Sequence, residues 1–416
     1  MAGVDDEGRR SVTRPHGLRI LLVTPGLSYP PSDGFSIRVA GLSRELARRH
    51  HVTLLTYDSS DTEAAEGDSA ALRDLDIDVH LVPRGRDRFQ LWKWLSVASP
   101  RSFRSRYYYS TAMQRAIRAM LAAHRFDVVQ FESTELWAFD FRSPASQHAV
   151  VLDAHNIFSE LLKGITAHQE NVPNRMYWAL ETAKFRREEE ACWRRVDGCV
   201  LTSEREAAIV RATPGVRAAT VVPNAVDLDH FRPATVPVDA GEMVFCGLMS
   251  YHPNQDAVAY FVREVLPRVL ERRPDAIFTV VGKEVPPTLA SLAGPHVRFT
   301  GWVPDTRPYI ARAAAVVVPL REGSGTRLKI LEALAMAKGI VSTTIGCEGL
   351  AVTPGRELLV ADGDEALGEA VVRLLDHPHE AAELGRRGRE RVEDSYGWPA
   401  AATKLEEFYA QLGTSA

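Results

Sequence analysis

Cysteine is scarce in this chain of 416 residues. Cys192, Cys199, Cys246 and Cys347 are spaced too irregularly for a disulfide framework, a CxxC redox pair or a zinc cluster, and they read as reduced core residues. No apolar run approaches the ~20 residues a membrane-spanning helix needs. Residues 1–17 are polar and charged, unlike a signal peptide, and are expected to form a disordered tail on a cytoplasmic protein. An excess of either charge is also missing: 50 Lys and Arg face 54 Asp and Glu, for a net charge of −4. Without a basic field to release counterions, a general nucleic-acid binder is excluded and small molecules become the expected partners. Only 7 of the 50 basic residues are lysine, a bias that points to a GC-rich genome rather than to chemistry. Neither GxGxxG in the first βα turn, nor the Walker pattern, nor HExxH occurs, which argues against a nicotinamide dehydrogenase, a P-loop enzyme and a zincin. A site with no metal and no cofactor is expected.

What is present is an ordinary globular composition, 45% hydrophobic and 25% charged, on a chain too long for one core, so two domains are expected. Residues 18–24 read as a buried parallel strand. A Pro- and Gly-rich loop follows, then a helix over 36–49 with Val39, Leu42 and Leu46 on one face, then a strand over 51–56. Further strands are expected at 77–82, 128–131, 149–153, 199–202 and 219–222, and their alternation with helical patterns predicts a doubly wound parallel sheet. The basic, aromatic stretch 86–121 reads as a helical cover with arginine stems on aromatic faces; an acceptor-holding patch or a peripheral membrane contact is the alternative. Acids and bases alternate over 173–196, predicting one long helix with a solvated face and no catalytic role. The pattern breaks at 232–241, read as a linker. A second α/β series then begins at 243–247, with a helix at 255–271, strands at 276–281 and 297–300, and a helix at 308–313.

In an open parallel sheet, ligands bind outside the carboxyl ends of the strands. Gly247, Gly282 and Gly301 each end a strand of the second series, and the Gly/Ser turn before Arg327 ends another. Unpaired N–H groups at a helix start suit a phosphate, and Arg327 and Lys329 place two cations beside that turn. Glu332 lies at the margin of the apolar stripe of the following helix; the plainer reading makes Lys329 and Glu332 a solvated i,i+3 pair. In the first series, Asp153, His155 and Asn156 end a strand, and Gly34 stands at a helix start. The same edge rule sends them toward an interdomain cleft; the plainer reading makes the lone histidine structural and has the glycine simply form the turn.

Taken in order, these pieces resemble family 4 of the glycosyltransferases, retaining enzymes of the GT-B fold. The likeness runs over about residues 20–409. It rests on Tyr29-Pro30-Pro31-Ser32-Asp33-Gly34, Leu152-Asp153-Ala154-His155-Asn156, Val222-Pro223-Asn224-Ala225-Val226-Asp227, Phe245-Cys246-Gly247, Thr300-Gly301-Trp302-Val303 and Gly325-Thr326-Arg327-Leu328-Lys329-Ile330-Leu331-Glu332. The resemblance implies two Rossmann-like domains facing across a cleft: an acceptor-side domain at 18–231, the linker 232–241, a nucleotide-sugar domain at 242–395, and a helix over 396–416 returning to the first domain. Glu332 then matches the second carboxylate of the family's Glu-x7-Glu motif, which binds the donor ribose. Lys329 and Arg327, with the backbone of Gly325 and Thr326, would neutralise the departing diphosphate. Val303 would meet the base, Gly247 would line the donor site, and His155 and Gly34 would lie near the donor sugar.

Two departures stand out. Ser324 occupies the place of the motif's first carboxylate, and Gly247 is followed by Leu248-Met249 rather than by an Arg/Lys pair. A subgroup of the family carries Gly-Thr-Arg-Leu-Lys before the glutamate, as here. The expected activity is retaining, metal-independent transfer of a hexose-type sugar from a nucleotide-diphosphate sugar to an unspecified acceptor, in the cytoplasm or at the inner face of the membrane. A sugar-nucleotide epimerase, a pseudo-glycosyltransferase and a catalytically silent binding subunit are the alternatives.

Overall fold

The computed structural model describes residues 17–26, 31, 33–58, 75–84, 96–142, 147–167, 169, 171–323 and 327–413. Two all-parallel sheets organise the chain. The first is built from β1 (Arg19–Thr24), β2 (His51–Asp58), β3 (Ile77–Pro83), β4 (Val128–Glu132), β5 (Ala149–Ala154), β6 (Gly198–Leu201) and β7 (Ala219–Val221), in the order β3-β2-β1-β4-β5-β6-β7. The second is built from β8 (Asp239–Cys246), β9 (Ile277–Val281), β10 (Val297–Phe299), β11 (Ala313–Val318), β12 (Ile340–Ser342) and β13 (Leu359–Val360), in the order β10-β9-β8-β11-β12-β13. Each order reverses beside its first strand, so each sheet has a switch point, at β1/β4 and at β8/β11. These are two Rossmann-like, doubly wound units.

The central strands are mostly apolar because both faces of a parallel sheet are covered, whereas the edge strand β3 alternates buried and exposed residues. Along β1, Leu21 and Val23 join one core cluster while Ile20 and Leu22 join the other. The second cluster is completed by the last helix, Trp398–Gly413, through Trp398, Leu405, Phe408 and Tyr409. Its close approach needs a missing side chain: a β-carbon on Gly41 would stand 2.4 Å from the Trp398 ring. The preceding helix, Pro378–Ser395, instead buries Ala381, Leu384 and Val392 in the core of the second sheet.

The chain therefore passes between the sheets twice, after β7 and again between these two helices. The passages lie side by side: Val226 N–H donates to Tyr396 O at 2.9 Å, and Val226 bridges Gly397. Arg389 fastens the first passage to the second unit, donating to Phe231 O at 2.8 Å and to Ala335 O at 2.6 Å.

Several elements differ locally from the sequence reading. β8 begins at Asp239, inside the stretch read as linker, because residues 239 and 242–246 pair with β11 and β9. The first helix starts at Gly34 rather than 36, since Asp33 caps it: its side chain accepts from Ser36 N at 2.9 Å, and the Ser36 hydroxyl answers Asp33 N. The single helix expected over 255–271 is interrupted by a π turn, Phe261–Val265, where Leu266 N–H reaches Phe261 O. Pro267 lies one residue further on and has no N–H to keep the α ladder closed.

The largest correction concerns the long helix Val172–Arg195, whose acids are not solvated. Glu181, Glu188 and Glu189 are buried. They satisfy orphan N–H groups at two other helix starts: Glu188 accepts from Ser102 N at 2.9 Å, Glu181 from Phe103 N at 2.5 Å, and Glu189 from Phe158 N at 2.7 Å and Ser159 N at 3.0 Å. Burial pushes the Glu189 carboxyl up to about 7. Of the basic aromatic stretch, 85–95 lies outside the described residues. Beyond it, helices Phe103–Tyr108 and Thr111–Ala123 cover the sheet, and Arg84 lies 4.6 Å from the Tyr107 ring centroid.

Candidate active site

The carboxyl tips of the second sheet converge on Lys329. Gly247 follows β8 and Gly282 follows β9; a β-carbon on Gly282 would stand 1.8 Å from Gly247 O, and one on Gly247 would stand 3.0 Å from Lys329 Nζ. Glycine is thus required for the strand ends to close and for the amine to reach them. Lys329 opens the helix Leu328–Ala335. Its Nζ donates to Asn254 Oδ1 at 2.8 Å and lies 3.9 Å from the centroid of the Phe245 ring. Both partners are uncharged, and among the described residues no carboxylate lies within ion-pair distance of the amine. Burial, with a smaller contribution from the Arg327 charge, pushes Lys329 down to about 7. Glu332, one turn on, is pushed up to about 7 by burial against the opposing pull of Lys329. The solvated i,i+3 pair is therefore excluded: the two groups are held partly desolvated, without an ion pair.

Arg327 is buried, and burial lowers its pKa. Its guanidinium lies along the turn, where a β-carbon on Gly323 would stand 3.0 Å from Nη2. Ser324, Gly325 and Thr326 lie outside the described residues. Val303 is half-buried against the second core, beyond Gly301 at φ +68°, while the neighbouring Trp302 is 70% exposed.

The first sheet brings its own tips to the same place. Gly34 starts its helix so close to the other unit that a β-carbon there would stand 3.6 Å from Leu328 Cδ1. The next residue, Phe35, stacks on His155 with ring centroids 4.6 Å apart. The His155 ring nitrogen Nε2 meets Glu132 Oε2 at 2.8 Å. Gln130 Nε2 donates to the other Glu132 oxygen at 2.8 Å, and Tyr409 OH donates to Gln130 Oε1 at 2.6 Å. Burial and the charge of Asp153 raise the Glu132 pKa, opposed by His155. A continuous path of contacts thus runs from His155 through Phe35, Gly34 and Leu328 to Lys329 and Gly247.

Asp153 does not point into this path. It is fully buried in an ion pair with Arg38, whose Nε lies 3.0 Å from Oδ2 and whose Nη2 lies 3.0 Å from Oδ1, while Arg38 Nη1 donates to Asn224 Oδ1 at 3.0 Å. One ligand atom each from Glu132, Asp153 and His155 lie within 4.8 Å of one another. The guanidinium of Arg38 supplies the positive charge beside Asp153, while Glu132 is held by Gln130 and His155.

Sequence reasoning missed Arg38, Glu132 and Asn254. Arg38 left a signal, since it stands four and eight residues before Leu42 and Leu46 on the inward face, where a cation requires a buried anion. Glu132 ends β4 as Asp153 approaches the end of β5, so the edge rule applied to Asp153 covers it too. Nothing in the sequence marks Asn254 as the partner of Lys329.

Residues 32–230 match the family described as Glycosyltransferase Family 4, and residues 240–377 match Glycosyl transferases group 1. An uncharacterized 44.6 kDa protein of the cps region of Klebsiella pneumoniae is 18% identical over 295 residues, 67% of this chain and 73% of that protein. A D-inositol 3-phosphate glycosyltransferase of Pseudarthrobacter chlorophenolicus is 35% identical over 115 residues, which span 26% of this chain and 27% of that protein. The structure of the Anabaena protein HepE in complex with UDP and glucose superposes with a TM-score of 0.65 at 12% identity, over 94% of this chain and 99% of that one.

Proposed function

The chain belongs to the family 4, group 1 glycosyltransferases, and from that membership we propose that it moves a hexose-type sugar from a nucleoside diphosphate sugar to an acceptor hydroxyl, with retention of configuration. The observation that carries this reading is Lys329: a desolvated amine at the strand tips, held by a neutral amide and a ring face, with no carboxylate within ion-pair distance among the described residues. A donor diphosphate would supply the missing counter-charge. As the bond to the sugar breaks, charge grows on that diphosphate, so a cation already in place favours the transition state over the ground state. Arg327 is the second cation of the same turn.

Glu332 would accept the ribose hydroxyls, with Gly247 and Val303 lining the rest of the nucleotide. Ser324, Gly325 and Thr326 would complete the phosphate turn. The sugar would then face His155, which Phe35 and Glu132 hold in orientation, next to Gly34. An acceptor approaching from the first unit would enter on that side. Each of these roles needs only residues of this chain, and the reaction is proposed to run without a metal. The structure of HepE in complex with UDP and glucose, a protein of similar fold, supports this reading.

The test is thermal unfolding of the protein with UDP, GDP, dTDP and ADP sugars, beside Glu332→Ala. A donor at 100 times its Kd stabilises by about 2.7 kcal/mol. One nucleotide class should stabilise the wild type, and the variant by clearly less. A folded protein that responds to none of them rules the donor reading out, and a response without transfer to any acceptor identifies a silent binding subunit.

A further inference from the structure

Outside the cleft, the hairpin formed by Phe158–Ala167 and Val172–Arg195 encloses a groove of about 630 Å³. Thr166, Ala179, Thr182 and Ala183 contribute its small side chains, and Lys163, Arg175, Arg186 and Arg187 its cations. Arg186 is paired with Glu190 at 3.3 Å. Lys163, Arg175 and Arg187 have no carboxylate partner among the described residues. Alongside, Val172, Met176 and Leu180 follow one another at four-residue spacing and are 54%, 69% and 40% exposed. That spacing places them on one stripe of the helix.

The reason for this face lies in the burial pattern of the same helix. Its inner acids are drawn in to cap other helices, and from Val172 to Arg187 the only acidic residue is Glu181, which is buried. The outward face is left mainly apolar and basic: Glu190 is the acid that lines the groove, at its far end, where it pairs with Arg186 and Arg194. A solvated surface would mix both signs. Apolar side chains flanked by unpaired cations instead match the boundary of an anionic bilayer, where apolar groups enter the acyl region and the cations meet headgroup phosphates.

We infer that the hairpin 158–187 seats this protein on an anionic membrane surface, with Met176 and Leu180 inserted and Lys163, Arg175 and Arg187 on lipid phosphates. The surface is separate from the donor site and does not depend on how that site is used. It also differs from the basic aromatic stretch 86–121, where Phe103 is buried, Tyr108 packs against a core cluster and the 37% exposed Tyr109 stacks on Phe139.

The probe is co-sedimentation of the full chain with phosphatidylcholine vesicles, with and without phosphatidylglycerol as about a third of the lipid. Wild type should bind only the anionic vesicles and should be released by salt, because the attraction is screened within about a Debye length. Met176→Asp/Leu180→Asp and Arg175→Gln/Arg187→Gln should each weaken binding, the latter by more than about tenfold. Both should keep the wild-type melting temperature and response to donor. Failure of the wild type to bind anionic vesicles at low salt overturns the inference, as does binding unchanged in both variants. So does a dimer, seen by sedimentation equilibrium without lipid, that Met176→Asp/Leu180→Asp dissolves.

Discussion

If Lys329 is the counter-ion of a donor diphosphate, donor binding must take up a proton. In the free protein the amine sits at about 7, so at pH 8 only about a tenth of the molecules carry the charge. An opposite charge within a few ångströms raises a pKa by about 1–3 units, which keeps Lys329 protonated in the complex at that pH. Affinity should therefore fall by up to about tenfold, ~1.4 kcal/mol, per pH unit above 7, until the pKa of the complex is reached. Glu332 titrates in the same range with the opposite sign, because accepting ribose hydroxyls favours its ionised form and releases a proton. The measurement belongs in Glu332→Gln, by isothermal titration calorimetry at pH 8 in two buffers of different ionisation enthalpy. Close to one proton should be taken up per donor bound, and Lys329→Met in that background should abolish both the uptake and the pH slope. An affinity flat from pH 7 to 8, with no buffer dependence, would refute the assignment of Lys329 to the diphosphate.

The same two groups make the site costly without ligand. Lys329, depressed in the fold, gains stability as pH rises from about 7 toward 10.5, whereas Glu332, raised in the fold, loses it as pH rises from 4.5 to about 7. Their costs add near pH 7, so Lys329→Met/Glu332→Gln should melt higher than wild type at that pH while being stabilised less by donor. Removing Arg38 leaves Asp153 ionised and alone in the core: Arg38→Met should cost about 3–5 kcal/mol in urea unfolding, and Arg38→Met/Asp153→Leu should recover most of it. Gly282→Ala would drive a methyl into Gly247 O and should destabilise by about 1–3 kcal/mol, read as a lower urea midpoint at unchanged slope.

The sheets were legible because strands buried on both faces leave continuous apolar runs, as at 20–23 and 316–318, and the glycines that close their tips are visible one residue beyond. The burial of Glu181, Glu188 and Glu189 was not. A buried capping acid and a solvated one look the same in sequence; what separates them is a helix start 31 or 86 residues away in the chain. Glu132 is similar, since its partner His155 lies 23 residues on and Phe35 arrives from a third segment. The phosphate turn stood out through Arg327, Lys329 and Glu332 at fixed spacing on one helix. The amide that holds Lys329 did not, because Asn254 comes from another strand–helix connection, 75 residues earlier.

The doubled passage between the two units has a mechanical consequence. A single covalent tie acts as a swivel, leaving both twist and bend free. Here two backbone segments run side by side and are cross-linked at Val226 and Tyr396–Gly397, which suppresses twist and leaves one bending axis. Arg389 sets the lever arm, because it grips Phe231 in the tie and Ala335 at the end of the helix that begins with Leu328 and Lys329. Any flexing of the molecule therefore carries Lys329 along one arc relative to His155, so the tips of the two sheets return to the same register each time they approach.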